Sequence, residues 1–140
     1  MSVFYDGVKI GDFPLHSGGS SPVLFDVPAM LWLNRDRKYI QDTLIAAIPN
    51  VSFDAIVGIE FGGALLATLL SEWFQDKNLG FWRKDGTVIL SWAKQNIVLI
   101  DDVRTTGASF EKAKQCLEMA GHKVVASVAL INRSKHGSAA

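Results

Sequence analysis

Residues 97–109 read Ile97-Val98-Leu99-Ile100-Asp101-Asp102-Val103-Arg104-Thr105-Thr106-Gly107-Ala108-Ser109. Four apolar residues in a row suit a strand buried on both faces, as in a parallel sheet. Two adjacent carboxylates follow, at the strand end where open α/β sheets collect their ligands. Burying such a pair is costly, since like charges repel and each loses hydration. Ribose hydroxyls or a divalent cation would offset that cost. The small polar loop that comes next, with Gly107 near its centre, can turn successive backbone N–H groups into one concavity at a helix start. The helix dipole adds about half a positive charge there, and phosphate is the expected guest. A diol-binding acidic pair beside a phosphate cradle describes a ribose 5-phosphate. In the alternative reading Ser109 only caps the helix and the aspartates are solvated. The ordered combination after a buried strand favours the sugar phosphate. The competing phosphate loops do not fit, because the chain has neither G-x-x-x-x-G-K-[ST] nor G-x-G-x-x-G after a strand.

Outward from this segment, strands and helices alternate. Phe110, Ala113, Leu117 and Ala120 mark the apolar stripe of a helix that Gly121 ends, and residues 124–131 form a further strand. Upstream, Ala55-Ile56-Val57-Gly58-Ile59 suits a buried strand. Residues 64–74 are apolar on nearly all sides, as in a buried helix. Residues 79–82 and 87–92 are strand-like, with Asp85-Gly86 as a hairpin turn between them. Tyr39, Ile40, Leu44, Ala47 and Ile48 recur at helical spacing on one face, Pro28 stands where a helix could start, and Pro49-Asn50 closes it. Residues 3–28, rich in Gly, Ser and Pro, read as turns and short strands. The pattern predicts an α/β fold with a mainly parallel central sheet flanked by helices.

The bulk properties narrow the classes of function. The 140 residues fit one domain over 1–140, with an N-terminal segment at 1–28 and a core at 29–133. Hydrophobic residues make up 49% and charged ones 20%, which excludes intrinsic disorder. The 14 basic and 14 acidic residues cancel, which argues against broad electrostatic capture of nucleic acid. The single cysteine, Cys116, falls in a predicted helix and reads as a small packing residue in a reducing cytoplasm. Three histidines and one cysteine show no metal-ligand spacing. No secretory signal is expected at the N-terminus, and apolar runs such as residues 64–70 are too short to span a bilayer.

The stretch VLIDDVRTTGAS, residues 98–109, resembles the phosphoribosyl pyrophosphate signature of the type I phosphoribosyltransferases. Residues 54–64, DAIVGIEFGGA, resemble that family's strand and pyrophosphate loop. At its start the chain is similar to orotate phosphoribosyltransferases: residues 11–18 (GDFPLHSG) and 21–26 (SPVLFD) echo their F-G-x-F-x-L-K-S-G…S-P-x-Y-x-D pattern. Arg83-Lys84 echoes the pair opening their catalytic loop, and Asn132-Arg133 their closing D-R.

The resemblance implies transfer of ribose 5-phosphate from phosphoribosyl pyrophosphate to a nucleobase, orotate first, with release of pyrophosphate. Asp101 and Asp102 would hold the ribose hydroxyls, and Thr105, Thr106, Gly107, Ala108 and Ser109 would wrap the 5-phosphate. The loop of Glu60, Phe61, Gly62 and Gly63 would approach the pyrophosphate, its glycines letting backbone come close. Mg²⁺ would arrive with the substrate, held through substrate oxygens, waters and the aspartate pair. Arg83 and Lys84 are the candidate cations for the leaving group. Phe25, Arg133 and His16 are the candidates for the base, by stacking, bidentate pairing and polar contact. A homodimer is implied, because this loop reaches a neighbouring subunit's site in orotate enzymes.

The chain departs from that pattern in three places. His16 stands where the orotate enzymes have lysine, and a mostly neutral imidazole gives an anionic base no fixed charge. Asp85-Gly86 predicts a tight hairpin in place of a long mobile lid. The sequence stops soon after Arg133, so the C-terminal elements of larger family members are not expected. These departures leave two alternatives: a non-catalytic sensor or regulator that binds phosphoribosyl pyrophosphate or a nucleotide, and a purine-type transferase.

Overall fold

The computed structural model describes residues 8–14, 20–25, 27–90 and 93–133. First comes an antiparallel pair, β1 (Val8–Pro14) against β2 (Ser20–Phe25), with a bulge between Ile10 and Phe13. A short helix α1 (Val27–Met30) and a longer α2 (Asn34–Ala47) follow. Then come β3 (Ala55–Ile59), α3 (Glu60–Ser71), β4 (Asn78–Trp82), β5 (Val88–Ile89), β6 (Asn96–Arg104), α4 (Ala108–Met119) and β7 (Lys123–Asn132). The last five strands form one sheet in the order β5-β4-β3-β6-β7, parallel throughout except for the antiparallel edge β5.

Every residue of β3 is buried, and so are residues 97–101 of β6, because helices cover both faces. Successive side chains of a strand point to opposite faces. Ile56, Val98, Ile100 and Val128 meet Ile40 and Leu44 of α2 and Leu66, Ala67 and Leu70 of α3. On the other face Ala55, Val57, Ile59, Ile97 and Leu99 pack with Trp82 and with Phe110, Ala113 and Leu117 of α4. The predicted α/β architecture stands, with each fully buried Leu or Ile contributing roughly 2 kcal/mol.

Three local expectations are corrected. The helix expected over 64–74 starts at Glu60 and buries only Gly63, Leu66, Ala67 and Leu70, a single stripe, since α2 and the sheet contact one side of it. In α2 Tyr39 is 52% exposed, and Gln41 takes a buried place by donating its side-chain N–H to the Leu69 carbonyl at 2.8 Å. The strand expected over 87–92 reduces to Val88–Ile89; Ser91 and Trp92 lie outside the described residues. Cys116 is free and half-buried against the α4 side of the core, in keeping with a packing role. Among the described residues no helix is long and apolar enough to cross a membrane.

Candidate functional site

From β3 the chain runs through α3 to β4 on one side, while β6 lies on the other and leads through α4 to β7. The carboxyl ends of β3 and β6 therefore flank a topological switch point, the crevice where open α/β sheets bind ligands. Residues 60–63 leave β3 on one wall, and residues 101–109 form the other.

The acidic pair does not follow the strand, as the apolar run implied; it lies within it. β6 continues to Arg104 because its ladder with β7 persists, pairing Asp101 with Ala129 and Arg104 with Asn132. Asp101 is 7% exposed and Asp102 is half-buried. One carboxylate oxygen of Asp101 accepts the Asp102 N–H at 2.8 Å, and one of Asp102 accepts the Val103 N–H at 2.7 Å. Burial, then the side-chain hydrogen bond and charge of Asp102, push the Asp101 carboxyl up to about 8, while the Asp102 backbone N–H and then the Lys84 ammonium pull against that rise.

That shift carries a stability signature. Between roughly pH 4 and pH 8 the unfolded chain ionises Asp101 and the folded chain keeps its proton, so stability falls as pH rises through this window. From pH 6 to pH 8 the unliganded protein is expected to lose about 2 kcal/mol through this group. Urea melts at both pH values should show a shallower loss in Asp101→Asn. Equal losses in the two proteins would refute the assignment.

The 60–63 turn rests directly on the acidic pair, and its glycines make that approach feasible. A Cβ on Gly62 would collide with the Asp102 carboxylate, and one on Gly63 would come 2.5 Å from the Ile100 carbonyl oxygen. Gly58, near the end of β3, is needed for the same close approach, since its Cβ would strike the Gly63 carbonyl. The reading of 60–63 as a loop is thus corrected: the segment is the first turn of α3, with Glu60 at φ 56. Phe61 is 67% exposed.

Across the crevice Gly107 takes φ 83 and is the N-cap of α4, and its carbonyl accepts the Glu111 N–H at 3.0 Å. Thr106 Oγ1 accepts the Ala108 N–H at 3.2 Å. Ser109 makes no cap, so the capping alternative for it fails. Thr105 is half-buried and Thr106 exposed in the bend before the helix. Arg104, which the sequence reading passes over, lies beside this loop. Its guanidinium sits 5.7 Å from the Phe110 ring and against Gly107, and its buried Nε has no hydrogen-bond partner. A cation inside the signature was the signal available for it.

Residues 83–87 make a tight hairpin, as the sequence implied. Arg83 N–H donates to the Thr87 carbonyl at 2.9 Å, Gly86 N–H to the Arg83 carbonyl at 3.0 Å, and Gly86 has φ 92. Glu60 reaches across to it: one carboxylate oxygen accepts the Lys84 N–H at 2.6 Å, and the other lies 3.5 Å from Arg83 Nε. Arg133, just past β7, donates its N–H to the Arg104 carbonyl at 2.6 Å, which sets it at the same sheet end. Phe25 closes β2, opposite Val8, but its side chain and all of His16 lie outside the described residues.

Among the described residues no three His, Cys, Asp or Glu side chains converge as a metal cage. The oxygen-only pair Asp101 and Asp102 suits a hard divalent cation that keeps most of its ligands from substrate and water.

No protein-family model matches the chain. The orotate phosphoribosyltransferase of Sulfurisphaera tokodaii is 35% identical over 136 residues, covering 90% of this chain and 68% of that one. The enzyme of the same name from Archaeoglobus fulgidus is 31% identical, covering 93% and 77%. The crystal structure of orotate phosphoribosyltransferase from Aeropyrum pernix superposes with a TM-score of 0.81 at 28% identity, covering 95% of this chain and 78% of that one. Similarity that runs through nearly the whole sequence, matched by the same arrangement of strands and helices, places the chain in the orotate phosphoribosyltransferase family.

Proposed function

We propose that the chain transfers the 5-phosphoribosyl group of phosphoribosyl pyrophosphate to orotate. A ring nitrogen of the base bonds to the anomeric carbon as the bond from that carbon to pyrophosphate breaks. The observation that carries this reading is the packing of the 60–63 turn on the Asp101-Asp102 pair, opposite the Gly107 loop. It puts a backbone wall, two carboxyl groups and a helix N-terminus at one end of the sheet.

In this reading Asp101 and Asp102 accept hydrogen bonds from the ribose hydroxyls. Thr105, Thr106, Gly107, Ala108 and Ser109 surround the 5-phosphate, with the α4 dipole behind it. The 60–63 turn borders the pyrophosphate, and Arg83 and Lys84 face its growing charge. Asp101 and Asp102 would hold Mg²⁺ through substrate oxygens and waters, and the bound ion would neutralise the leaving pyrophosphate. Phe25, Arg133 and His16 are proposed for the base, with Arg133 paired to the orotate carboxylate. A homodimer in the cytoplasm completes the proposal.

Phosphoribosyl pyrophosphate with Mg²⁺ and each of orotate, adenine, guanine and uracil, followed by pyrophosphate release, tests it. Release with orotate alone is the expected result. Release only with a purine would replace the acceptor, and binding without release by any base would favour a sensor.

A further inference from the structure

We propose that Glu60 is a positioning residue, whose carboxylate ties the Arg83-Lys84 hairpin to the pyrophosphate turn and so fixes both cations for the leaving group. The inference rests on the phosphoribosyl-transfer reading above.

The backbone gives the first reason. Among the described residues Glu60 is the one non-glycine residue with a positive φ, at 56. A side chain there is strained, and such strain persists where the surroundings hold it. Glycine would take the conformation freely, so the carboxylate is what this position gains from glutamate. The second reason is where that carboxylate goes. Ile59 pairs with Trp82 across β3 and β4, so Glu60 and Arg83 are the next residues beyond the paired ends. From there its two oxygens engage the Lys84 N–H at 2.6 Å and Arg83 Nε at 3.5 Å.

The third reason is the hairpin's own rigidity. Arg83 to Thr87, Gly86 to Arg83, and Thr87 to the Asp85 carboxylate are bonded within five residues. A unit cross-linked in this way moves as one body, so a single attachment at its base orients it. Arg83 is 61% exposed at its side chain and Glu60 34%, and ion pairs so exposed add little to folding. The tie therefore acts on geometry. A short hairpin that cannot fold far over a site needs its cations aimed beforehand, which is the service of a fixed anchor. Charge on the pyrophosphate grows as its bond to carbon breaks, so misaimed cations slow turnover more than they weaken binding.

Glu60→Gly and Glu60→Gln separate the possibilities. In Glu60→Gly the melting temperature is expected to hold, because strain and a weak pair leave together. Its kcat should fall about tenfold or more while KM for phosphoribosyl pyrophosphate changes less than about threefold. Trypsin cleavage after Arg83 or Lys84, located by mass spectrometry, should quicken in parallel. Glu60→Gln keeps an acceptor for the Lys84 N–H and should recover part of both. An unchanged kcat in Glu60→Gly overturns the inference, and so does a lowered kcat with unchanged cleavage, which would mean Glu60 acts without holding the hairpin. A wild-type chain that releases no pyrophosphate with any base defeats the transfer reading itself, whatever the cleavage rates show.

Discussion

A protein carrying both Asp101→Asn and Asp102→Asn is expected to fold normally yet bind phosphoribosyl pyrophosphate about a thousandfold more weakly. Each ribose hydroxyl would lose a carboxyl partner, at about 2 kcal/mol apiece. The fold has reason to gain. Burial and the neighbouring carboxylate hold Asp101 near 8, so the wild-type site keeps a group that ionises only at a cost. An asparagine oxygen can still accept the backbone N–H of residue 102, now 2.8 Å from Asp101. Unliganded melts should therefore show a midpoint equal to or above the wild-type value. Calorimetric titration with phosphoribosyl pyrophosphate and Mg²⁺ measures the other half. Undiminished affinity in the folded double variant would defeat the assignment of the pair to the sugar.

The second large effect belongs to Gly63→Ala. The new Cβ would stand 2.5 Å from the carbonyl oxygen of Ile100, a backbone atom in the buried stretch of β6 that has nowhere to retreat. A loss of about 3 kcal/mol or more is expected, with α3 pushed off the acidic pair. Gly86→Ala is the control. Gly86 has φ 92 but meets nothing within 4 Å, so only the backbone penalty of about 1 kcal/mol applies. Denaturation midpoints of the two variants compare contact with conformation directly. Equal losses would show that the tight approach at Gly63 does not govern the packing of α3 on β6.

Much of the architecture is legible in the sequence for a physical reason: a strand covered on both faces has no polar side to show. Residues 55–59 and 97–100 announce themselves in this way. The loop before α4 is legible because its needs are local, a glycine with positive φ and small polar neighbours. What escapes depends on partners far along the chain. That β6 runs on through Asp101 and Asp102 follows from its ladder with residues of β7, which no reading of 97–104 alone contains. Gly62 and Gly63 argue against a helix by propensity, yet they lie in the first turn of α3, because packing on Ile100 and Asp102 outweighs a local cost of about 1 kcal/mol each. Gln41 looks like a surface residue until the Leu69 carbonyl on α3 receives its amide. The link from Glu60 to Lys84 spans 24 residues and is invisible to periodicity.

The strand order has a consequence for the chain as it is made. β3 sits at the middle of the sheet, with β4 and β5 on one side and β6 and β7 on the other. During synthesis β3, β4 and β5 leave the ribosome first, and until residues 96–104 emerge the unpaired flank of Ala55–Ile59 lacks its neighbour. That flank is wholly apolar and unguarded by charge, the kind of edge that recruits other chains. A chain from which residues up to about 95 have emerged still exposes that edge, and the segment that carries the acidic pair is also the one that seals it.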